Sequence, residues 1–478
     1  MTHTKYNKTK IIATLGPATS DIPMLTKIFK AGVDVCRINF SHGSWEVHKE
    51  VIENIREVNR QMGTSVAILG DLQGPKLRIG EVENNSMLLE EGATMTLTTQ
   101  ATISSGNVIY VKYSTLARDV KVGERVLLDD GKLELEFTKR VDEHTVEAKV
   151  INGGILSSNK GFNLPSSDMS VASLTPKDRK DLEFVMENDF DWVALSFVRA
   201  AKDIIELREI LKANNCTAKI VAKVEKPQAV DNIDEIIAAT DAIMVARGDL
   251  GVEMPMEQVP MIQKRIVTKC IEASKPVIIA TQMMESMITS PTPTRAEAND
   301  VANAVMDGAD AVMLSAETSV GDYPLKAVQA VEKILGSTEL GWDIYNKIKK
   351  PDPSSPSFVS DRICYATVSM SDGISAKAII SMTQTGYTAF KIASGRPNCD
   401  VFIFTANKKL ISQLSLLWNV RAFYYDKKTN TDETIADVIA ELKEKQFLKD
   451  GDVVINTAAM PVIENRKTNT MKISTVGE

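Results

Sequence analysis

The chain has 478 residues, which is too long for one compact core and predicts two or three domains. Its net charge of −7 is not concentrated in a tail, so neither nucleic acid nor an anionic membrane is an expected partner. The five cysteines form no CxxC pair and there are four histidines, which argues against a disulfide framework and a histidine-built metal centre. Because the N-terminus lacks an apolar signal segment and no run is long enough to span a membrane, we expect a soluble, cytoplasmic protein.

Eight apolar runs of strand length recur through the first and middle thirds, and seven are followed within a few residues by a helix signal. They are Lys10–Gly16, Val33–Ser41, Ser65–Asp71, Asp191–Val198, Lys219–Glu225, Ala242–Asp249, Pro276–Gln282 and Ala311–Thr318. One helix signal is Thr175-Pro176, a capping residue followed by a proline in the first turn. Eight such units favour a (β/α)8 TIM barrel over an open doubly wound sheet, and we place this catalytic barrel at residues 1–71 and 173–345.

Between the third and fourth runs the pattern changes to short alternating segments broken by Gly and Asn. The segments are Thr94–Leu97, Val108–Lys112, Arg125–Leu128, Leu133–Phe137 and Thr145–Val150. They predict an inserted all-β domain at 72–172, with the size of a small β-barrel. Because it follows the C-terminal end of a barrel strand, and Gly74-Pro75 and Asn163–Pro165 connect it, we expect it to act as a lid over the barrel mouth.

The segment 346–357 is a linker by composition. Beyond it, four strand-like runs alternate with helical patterns and predict a separate C-terminal α/β domain at 358–478. The runs are Ala378–Met382, Val401–Phe404, Val420–Tyr425 and Val453–Thr457. A last run, Asn469–Val476, is predicted to be an edge strand.

Polar side chains recur at the C-terminal ends of the predicted barrel strands, although each alone has an ordinary explanation such as capping the next helix. They are Thr14, Arg37, Asn39, Ser41, His42, Asp71, Lys223, Glu225, Asp249, Thr281, Ser315 and Glu317. Their recurrence indicates an active site, because these ends meet at one mouth of the barrel. The set contains cations and two carboxylates suited to binding a metal ion, but no nucleophile beside a base. This composition favours phosphoryl transfer or enolate stabilisation over acyl transfer.

Six stretches have specific motifs, namely CRINFSHG (Cys36–Gly43), AKVE (Ala222–Glu225), MVARGDLGVE (Met244–Glu253), ATQMMESM (Ala280–Met287), PTPTRAEANDVANAV (Pro291–Val305) and DAVMLSAETSVGDYP (Asp310–Pro324). Together they resemble the pyruvate kinase family. The resemblance spans nearly the whole chain and implies ATP formation from phosphoenolpyruvate and ADP, with pyruvate as the other product, in the last step of glycolysis. It also implies a homotetramer and, often, allosteric control through the C-terminal domain.

By that resemblance, Glu225 and Asp249 would hold Mg2+ (or Mn2+). Lys223 would stabilise the transferring phosphoryl group and the enolate, while Arg37 would bind the phosphoryl group. The substrate carboxylate would be held by Thr281 and by backbone N–H groups around Gly248 and Asp249.

The resemblance also assigns the remaining polar residues of the mouth. Ser315 and Glu317 match the cluster implicated in supplying a proton to the enolate. The nucleotide would meet a further set at the mouth and in the inserted domain: Asn39, Ser41, His42, Arg78 and Lys160.

One departure concerns K+, which many family members hold with a set matching Asn39, Ser41 and Asp71 plus a following threonine carbonyl. Four positions differ from the K+-dependent pattern of Thr, Lys, Glu and Thr, namely Leu72, Gln73, Lys76 and Ile79. The substitutions indicate the K+-independent branch, in which the Lys76 ammonium supplies the positive charge of the cation. The alternative is that Lys76 is a solvated residue at the lid connection.

The stretch Ser381–Thr388 follows a strand of the C-terminal domain and begins a helix. It resembles the family's effector phosphate loop, although several positions differ, and its hydroxyl and N–H groups could hold a sugar phosphate or nucleotide effector. The candidate residues are Thr383, Thr385, Gly386 and Thr388. An ordinary capped helix start is the alternative.

Two other functions share part of this pattern. A Mg2+-dependent barrel that cleaves C–C bonds of pyruvate enolates would have a similar mouth, but the lid and the Arg78/Lys160 pair argue against it, and nucleotide binding would separate the two. A non-catalytic scaffold should have lost Lys223, Glu225 or Asp249, and all three are present.

Overall fold

The barrel is the centre of the fold in this computed structural model, which describes residues 7–167, 170–345, 349–427, 430–459 and 467–478. Eight parallel strands close in the order 1-8-7-6-5-4-3-2. Their bounds are Lys10–Thr14, Val33–Asn39, Ala67–Asp71, Trp192–Leu195, Lys219–Val224, Ala242–Ala246, Val277–Ala280 and Ala311–Leu314. The predicted TIM barrel is confirmed, and its interior is filled by large apolar side chains such as Leu69, Trp192 and Met244.

The strands end earlier than the sequence patterns suggested. The sixth strand ends at Ala246, so Arg247 and Asp249 lie on the helix Arg247–Glu253 and not on the strand, which corrects the predicted run Ala242–Asp249. The strand ends where its apolar residues stop, since the charged residues after Ala246 do not suit a strand that is buried on both faces.

Helices cover the outside of the barrel and bury their apolar faces against it. Their bounds are Ile22–Lys30, Trp45–Met62, Pro176–Glu187, Ala201–Ala213, Pro227–Asp231, Ile233–Ala239, Val259–Ala273, Arg295–Asp307, Ala316–Ser319 and Pro324–Gly341. The predicted helix start at Thr175 is confirmed, because the Thr175 side chain accepts a hydrogen bond from the Asp178 N–H at 3.1 Å. Among the described residues, no helix is both long and apolar enough to cross a membrane.

The inserted segment forms an all-β domain between the third and fourth barrel strands, as predicted. Its main sheet has six strands, namely Thr94–Thr98, Val108–Tyr110, Arg125–Leu128, Leu133–Arg140, Thr145–Asn152 and Phe162–Asn163. Met87–Leu89 and Gly154–Leu156 pair in a separate two-stranded sheet, and Leu116–Asp119 is a short helix. Two isolated bridges, Arg78 to Gly161 and Ile79 to Val111, link the two edges of the six-stranded sheet.

The C-terminal domain has a five-stranded sheet of Ala378–Met382, Asp400–Thr405, Val420–Tyr424, Val453–Ala458 and Thr470–Thr475. The last strand is antiparallel and lies at the edge, as predicted. Its helices are Phe358–Gly373, Tyr387–Ser394, Lys408–Gln413 and Thr431–Glu444. Arg396 pairs with Asp310 at 2.9 Å, just before the eighth barrel strand, so this domain contacts the end of the barrel opposite the mouth.

The linker 346–357 begins with three residues, 346–348, that lie outside the described part of the chain, and 349–357 contain no helix or strand. The domain boundaries at 71/72, 172/173 and 357/358 stay predictions.

Candidate active site at the barrel mouth

Lys223 is the centre of a buried charged cluster at the C-terminal ends of the third, fourth and fifth strands. Its Nζ lies 3.2 Å from Asp71 Oδ1 and 2.9 Å from Glu225 Oε1. It also donates a hydrogen bond of 2.7 Å to Ser196 Oγ. The ammonium therefore contacts two carboxylates from two different strands, in a site where its side chain is 11% exposed.

Arg37 lies beside this cluster on the second strand. Its Nε donates to Asp71 Oδ2 at 2.7 Å, and its NH1 donates to Thr14 Oγ1 at 2.9 Å. Asp71 thus binds two cations at once, one through each oxygen. The structure brings together four residues that the sequence predicted to meet: Arg37, Asp71, Lys223 and Glu225.

The neighbouring charges keep Asp71 and Lys223 in their ionised forms. Burial would raise the pKa of Asp71, but Lys223 and Arg37 outweigh it and hold that pKa below its usual value. Burial would lower the pKa of Lys223, but the carboxylates of Asp71 and Glu225 outweigh it and raise that pKa above its usual value. Lys223 is therefore a permanent cation at neutral pH, able to stabilise negative charge that develops beside it.

Glu225 and Asp249 form a pair of carboxylates at the same mouth. Burial raises the pKa of Glu225, and the nearby Asp249 carboxylate adds to the rise although Lys223 opposes it. Glu225 Oε2 also accepts a hydrogen bond of 2.8 Å from the Phe197 N–H, which fixes the direction of the carboxylate. No group of three or more His, Cys, Asp or Glu residues in the described ranges has a metal-binding arrangement, so this pair would need further ligands from substrate or water.

The turn after the sixth strand contacts the turn after the seventh. The Gly248 N–H donates to Thr281 Oγ1 at 2.7 Å, and an added Cβ on Gly248 would lie 3.3 Å from the same oxygen. Thr281 has φ of 68°, an unusual conformation for a β-branched residue. Arg247 holds this turn, because it donates to the Thr281 carbonyl at 3.0 Å and forms a bidentate pair with Asp300 at 2.7 and 2.6 Å.

Glu317 is 2% exposed and its carboxylate is occupied by backbone donors. It accepts hydrogen bonds from the Ser315 N–H at 2.6 Å and the Met284 N–H at 3.1 Å. Glu317 thereby joins the turns after the seventh and eighth strands, and Ser315 lies at the start of the second of these turns.

The predicted nucleotide residues lie at the rim of the mouth and on the inserted domain. Ser41 and His42 are exposed, and Asn39 Oδ1 accepts from the Ser41 N–H at 3.1 Å. Arg78 donates to the Asn159 carbonyl at 2.9 Å, and Lys160 Nζ pairs with Asp129 at 2.8 Å.

A narrow cleft lies between the inserted domain and the barrel. Its lining includes Lys76 and Asn163 from the inserted segment and Phe197, Lys226 and Asp249 from the barrel. Lys76 is exposed there, whereas Asp71 is bound by Arg37 and Lys223. The cleft therefore lies beside Asp249, one of the two candidate metal carboxylates.

The candidate effector loop is a turn between the strand Ala378–Met382 and the helix Tyr387–Ser394. The Gly386 N–H donates to Thr383 Oγ1 at 3.0 Å, and Gly386 has φ of 85°. Thr388 Oγ1 contacts Thr468 Oγ1 at 2.7 Å, and Tyr387 N–H reaches Thr385 Oγ1 at 3.4 Å. Ser381 Oγ, at the end of the preceding strand, is buried without a hydrogen-bond partner among the described residues.

The sequence analysis missed Ser196, Phe197 and Asp300 as residues of the site. Ser196 could have been found, because it follows the fourth strand at the position where the other strands carry polar groups. Phe197 contributes through its backbone N–H and Asp300 through the outer helix Arg295–Asp307, and neither has a sequence pattern that indicates it.

The fold and the mouth together define a barrel enzyme whose site concentrates cations around paired carboxylates. Comparison with known proteins agrees with this class of enzyme. The family model "Pyruvate kinase, barrel domain" matches residues 6–328, and "Pyruvate kinase, alpha/beta domain" matches residues 361–474.

Similar proteins cover the chain almost completely. A pyruvate kinase of Sporosarcina psychrophila is 41% identical over 98% of this chain and 81% of its own length. One of Mycobacterium tuberculosis (strain CDC 1551 / Oshkosh) is 40% identical over 98% of each chain. A crystal structure of a pyruvate kinase from Cryptosporidium parvum has a TM-score of 0.92 and 34% identity, covering 98% of this chain and 96% of that one. The chain belongs to the pyruvate kinase family and is a phosphotransferase.

Proposed function

We propose that the enzyme transfers the phosphoryl group of phosphoenolpyruvate to ADP and forms pyruvate and ATP, with a divalent metal. The observation that carries the proposal is the position of Lys223 between Asp71, Glu225 and Ser196, with Arg37 beside it. Phosphoryl transfer from an enol phosphate leaves an enolate, so negative charge moves between two oxygens during the reaction. A buried permanent cation suits both the transferring group and the enolate.

Glu225 and Asp249 are the residues that would hold Mg2+ or Mn2+. They fit a divalent cation because burial, with a further contribution from the Asp249 carboxylate, raises the pKa of Glu225, and a bound cation would favour the charged forms of both carboxylates. Two carboxylates leave room for oxygens of the substrate and water, which Mg2+ prefers as further ligands. When bound, the metal would neutralise charge on the substrate's carboxylate and phosphoryl oxygens.

The chain's own groups would then orient the substrate. Arg37 would bind the phosphoryl oxygens, since its guanidinium and the Lys223 ammonium both contact Asp71 and therefore lie side by side at the mouth. Thr281 and the N–H groups of Gly248 and Asp249 would hold the carboxylate, with the Gly248–Thr281 hydrogen bond exchanged for one to the substrate. Protonation of the enolate would involve Ser315 and Glu317, with Glu317 acting on the position of Ser315.

The nucleotide would lie between the inserted domain and the mouth. Arg78 and Lys160 on the inserted domain, with Asn39, Ser41 and His42 on the rim, are the proposed contacts. Ser41 and His42 are exposed and Asn39, Arg78 and Lys160 are partly exposed, which supports this placement.

We also propose that K+ is not required. Lys76 lines the same cleft as Asp249, and two cations already neutralise Asp71, the acidic member of the candidate monovalent-cation set Asn39, Ser41 and Asp71. The homotetramer, the cytoplasmic location and an effector phosphate at Thr383, Thr385, Gly386 and Thr388 stay predictions. The unpartnered Ser381 hydroxyl beside that loop supports the effector.

The metal site can be tested directly by electron paramagnetic resonance of Mn2+ with wild type, Glu225→Gln and Asp249→Asn. Each substitution removes a proposed ligand and should weaken Mn2+ binding by about tenfold or more, with a parallel loss of phosphoryl transfer. Asp234→Asn is the matched control, because Asp234 is an exposed carboxylate on an outer helix. Unchanged Mn2+ binding in both site variants would contradict the assignment.

A further inference from the structure

A second ion pair, Lys226–Glu253, lies beneath the cleft and is more deeply buried than the cluster around Lys223. Lys226 Nζ is 2.6 Å from Glu253 Oε1, and the two side chains are 4% and 0% exposed. Burying two charges costs more desolvation free energy than most such pairs recover, so stability alone is a weak reason for this one. Its position suggests a different role.

Each member of the pair adjoins a proposed metal ligand. Lys226 directly follows Glu225, and Glu253 lies one helical turn after Asp249 on the helix Arg247–Glu253. The ion pair therefore joins the end of the fifth strand to the helix that carries Asp249. A change in the pair would alter the spacing of the two carboxylates.

The inserted domain is joined to the same pair. Asn163 Nδ2, on the last strand of that domain, donates to Glu253 Oε1 at 2.6 Å. Glu253 Oε1 thus receives a donor from each domain, while Glu253 Oε2 is buried without a hydrogen-bond partner in the described part of the chain.

The other connection of the inserted domain reaches the pair through Phe197. Lys226 Nζ is 5.8 Å from the centroid of the Phe197 ring, and the Phe197 N–H holds Glu225. Phe197 has φ of 54°, a strained conformation for an aromatic residue. Its ring packs against Gly74, where an added Cβ would lie 2.7 Å from Phe197 Cδ2. Both connections of the lid therefore contact one unit around Lys226 and Glu253.

We propose that Lys226 and Glu253 are positioning residues that, with Asn163, dock the inserted domain on the barrel and fix the spacing of Glu225 and Asp249. They need not touch the substrate. The inference rests on the proposed metal site, and it adds a physical link by which the lid position changes the geometry of that site.

The test uses two variants of the full chain. Asn163→Ala removes the bond from the inserted domain and leaves the ion pair in place. The double variant Lys226→Met/Glu253→Leu replaces both charges by apolar groups, because a single substitution would leave an unpaired buried charge and destabilise the fold. Lys269→Met/Asp234→Leu is the matched control, a pair at 2.6 Å on the outer helices.

Three measurements separate positioning from a purely structural role: kcat and KM, Mn2+ affinity by electron paramagnetic resonance, and hydrogen exchange in 72–80 and 161–167. We expect Asn163→Ala to lower kcat by about tenfold and to speed exchange at both lid connections. We expect the double variant to unfold near the wild-type temperature yet to bind Mn2+ about tenfold more weakly, since residues that orient metal ligands have effects of this size. The control should match wild type.

A double variant with wild-type Mn2+ affinity, or Asn163→Ala with wild-type kcat and exchange, would overturn the inference. If neither Glu225→Gln nor Asp249→Asn weakens Mn2+ binding, the metal site itself is wrong and the inference falls with it. If Glu225→Gln weakens binding while the Lys226/Glu253 double variant does not, only the positioning role is wrong.

Discussion

Lys223→Met removes the ammonium that bridges Asp71 and Glu225 while keeping most of the apolar volume of the side chain. The contacts of 3.2 and 2.9 Å correspond to about 5 and about 6 kcal/mol at the effective dielectric constant of ~20 that suits protein sites. Desolvation offsets much of this, and breaking a buried pair typically costs about 3–5 kcal/mol of stability. We expect the lower end, because Asp71 keeps Arg37 and Glu225 keeps the Phe197 N–H.

Lys223→Met should also lower kcat of the enzyme that remains folded. Loss of one preorganised charge beside the reacting oxygens should lower kcat by at least about 10²–10³-fold. The assay is steady-state pyruvate release with saturating phosphoenolpyruvate, ADP and Mg2+, run beside thermal unfolding of the same samples.

Lys10→Met is the matched control for this prediction. Lys10 is also buried, begins the first strand at the opposite end of the barrel, and contacts Asp34 at 3.4 Å and the Val420 carbonyl at 3.1 Å. Its loss should lower the unfolding temperature while kcat of the folded enzyme stays within about threefold of wild type. A folded Lys223→Met enzyme whose kcat falls no further than that of Lys10→Met would refute the assigned role.

Three further predictions concern other parts of the mouth. Gly248→Ala should raise KM for phosphoenolpyruvate more than it lowers kcat, because the added Cβ would lie 3.3 Å from Thr281 Oγ1; an unchanged KM would show that this contact does not hold the substrate. Asp300→Asn should weaken the bidentate pair with Arg247, so that the turn at Thr281 is held less firmly. We expect kcat/KM to fall by about tenfold in steady-state assays. Wild-type kinetics would contradict a positioning role for that pair. Wild-type initial rates should be the same in K+-free buffer and with K+ added, and Lys76→Glu should create a K+ requirement; a wild-type rate that collapses without K+ would disprove the role given to Lys76.

The convergence of the charged cluster could be predicted from the sequence because it follows from the backbone of a parallel barrel. Asp71 and Lys223 lie on strands that are not adjacent, yet their side chains are in contact. They meet because the C-terminal ends of all the parallel strands lie at one mouth of the barrel. The inserted domain and the edge strand Thr470–Thr475 could also be predicted. These features depend on apolar periodicity, which each segment carries in its own residues.

Contacts between side chains on separate turns could not be predicted in this way. Arg247 was placed on a strand, but the chain turns one residue earlier and its guanidinium reaches Asp300 on an outer helix. The left-handed conformation of Phe197 depends on close packing against Gly74, and its hydrogen bond to Glu225 comes from the backbone. Neither feature depends on a pattern of residue types along the sequence.

The central claim is that phosphoryl transfer from phosphoenolpyruvate to ADP occurs at this mouth. Its most direct test is to measure pyruvate and ATP in parallel from the purified protein with phosphoenolpyruvate, ADP and Mg2+. We predict equal amounts of both products, formed only when the metal is present and nearly abolished by Lys223→Met. Pyruvate without ATP, or no turnover with any divalent metal, would contradict the account and favour a barrel that acts on pyruvate enolates without a nucleotide.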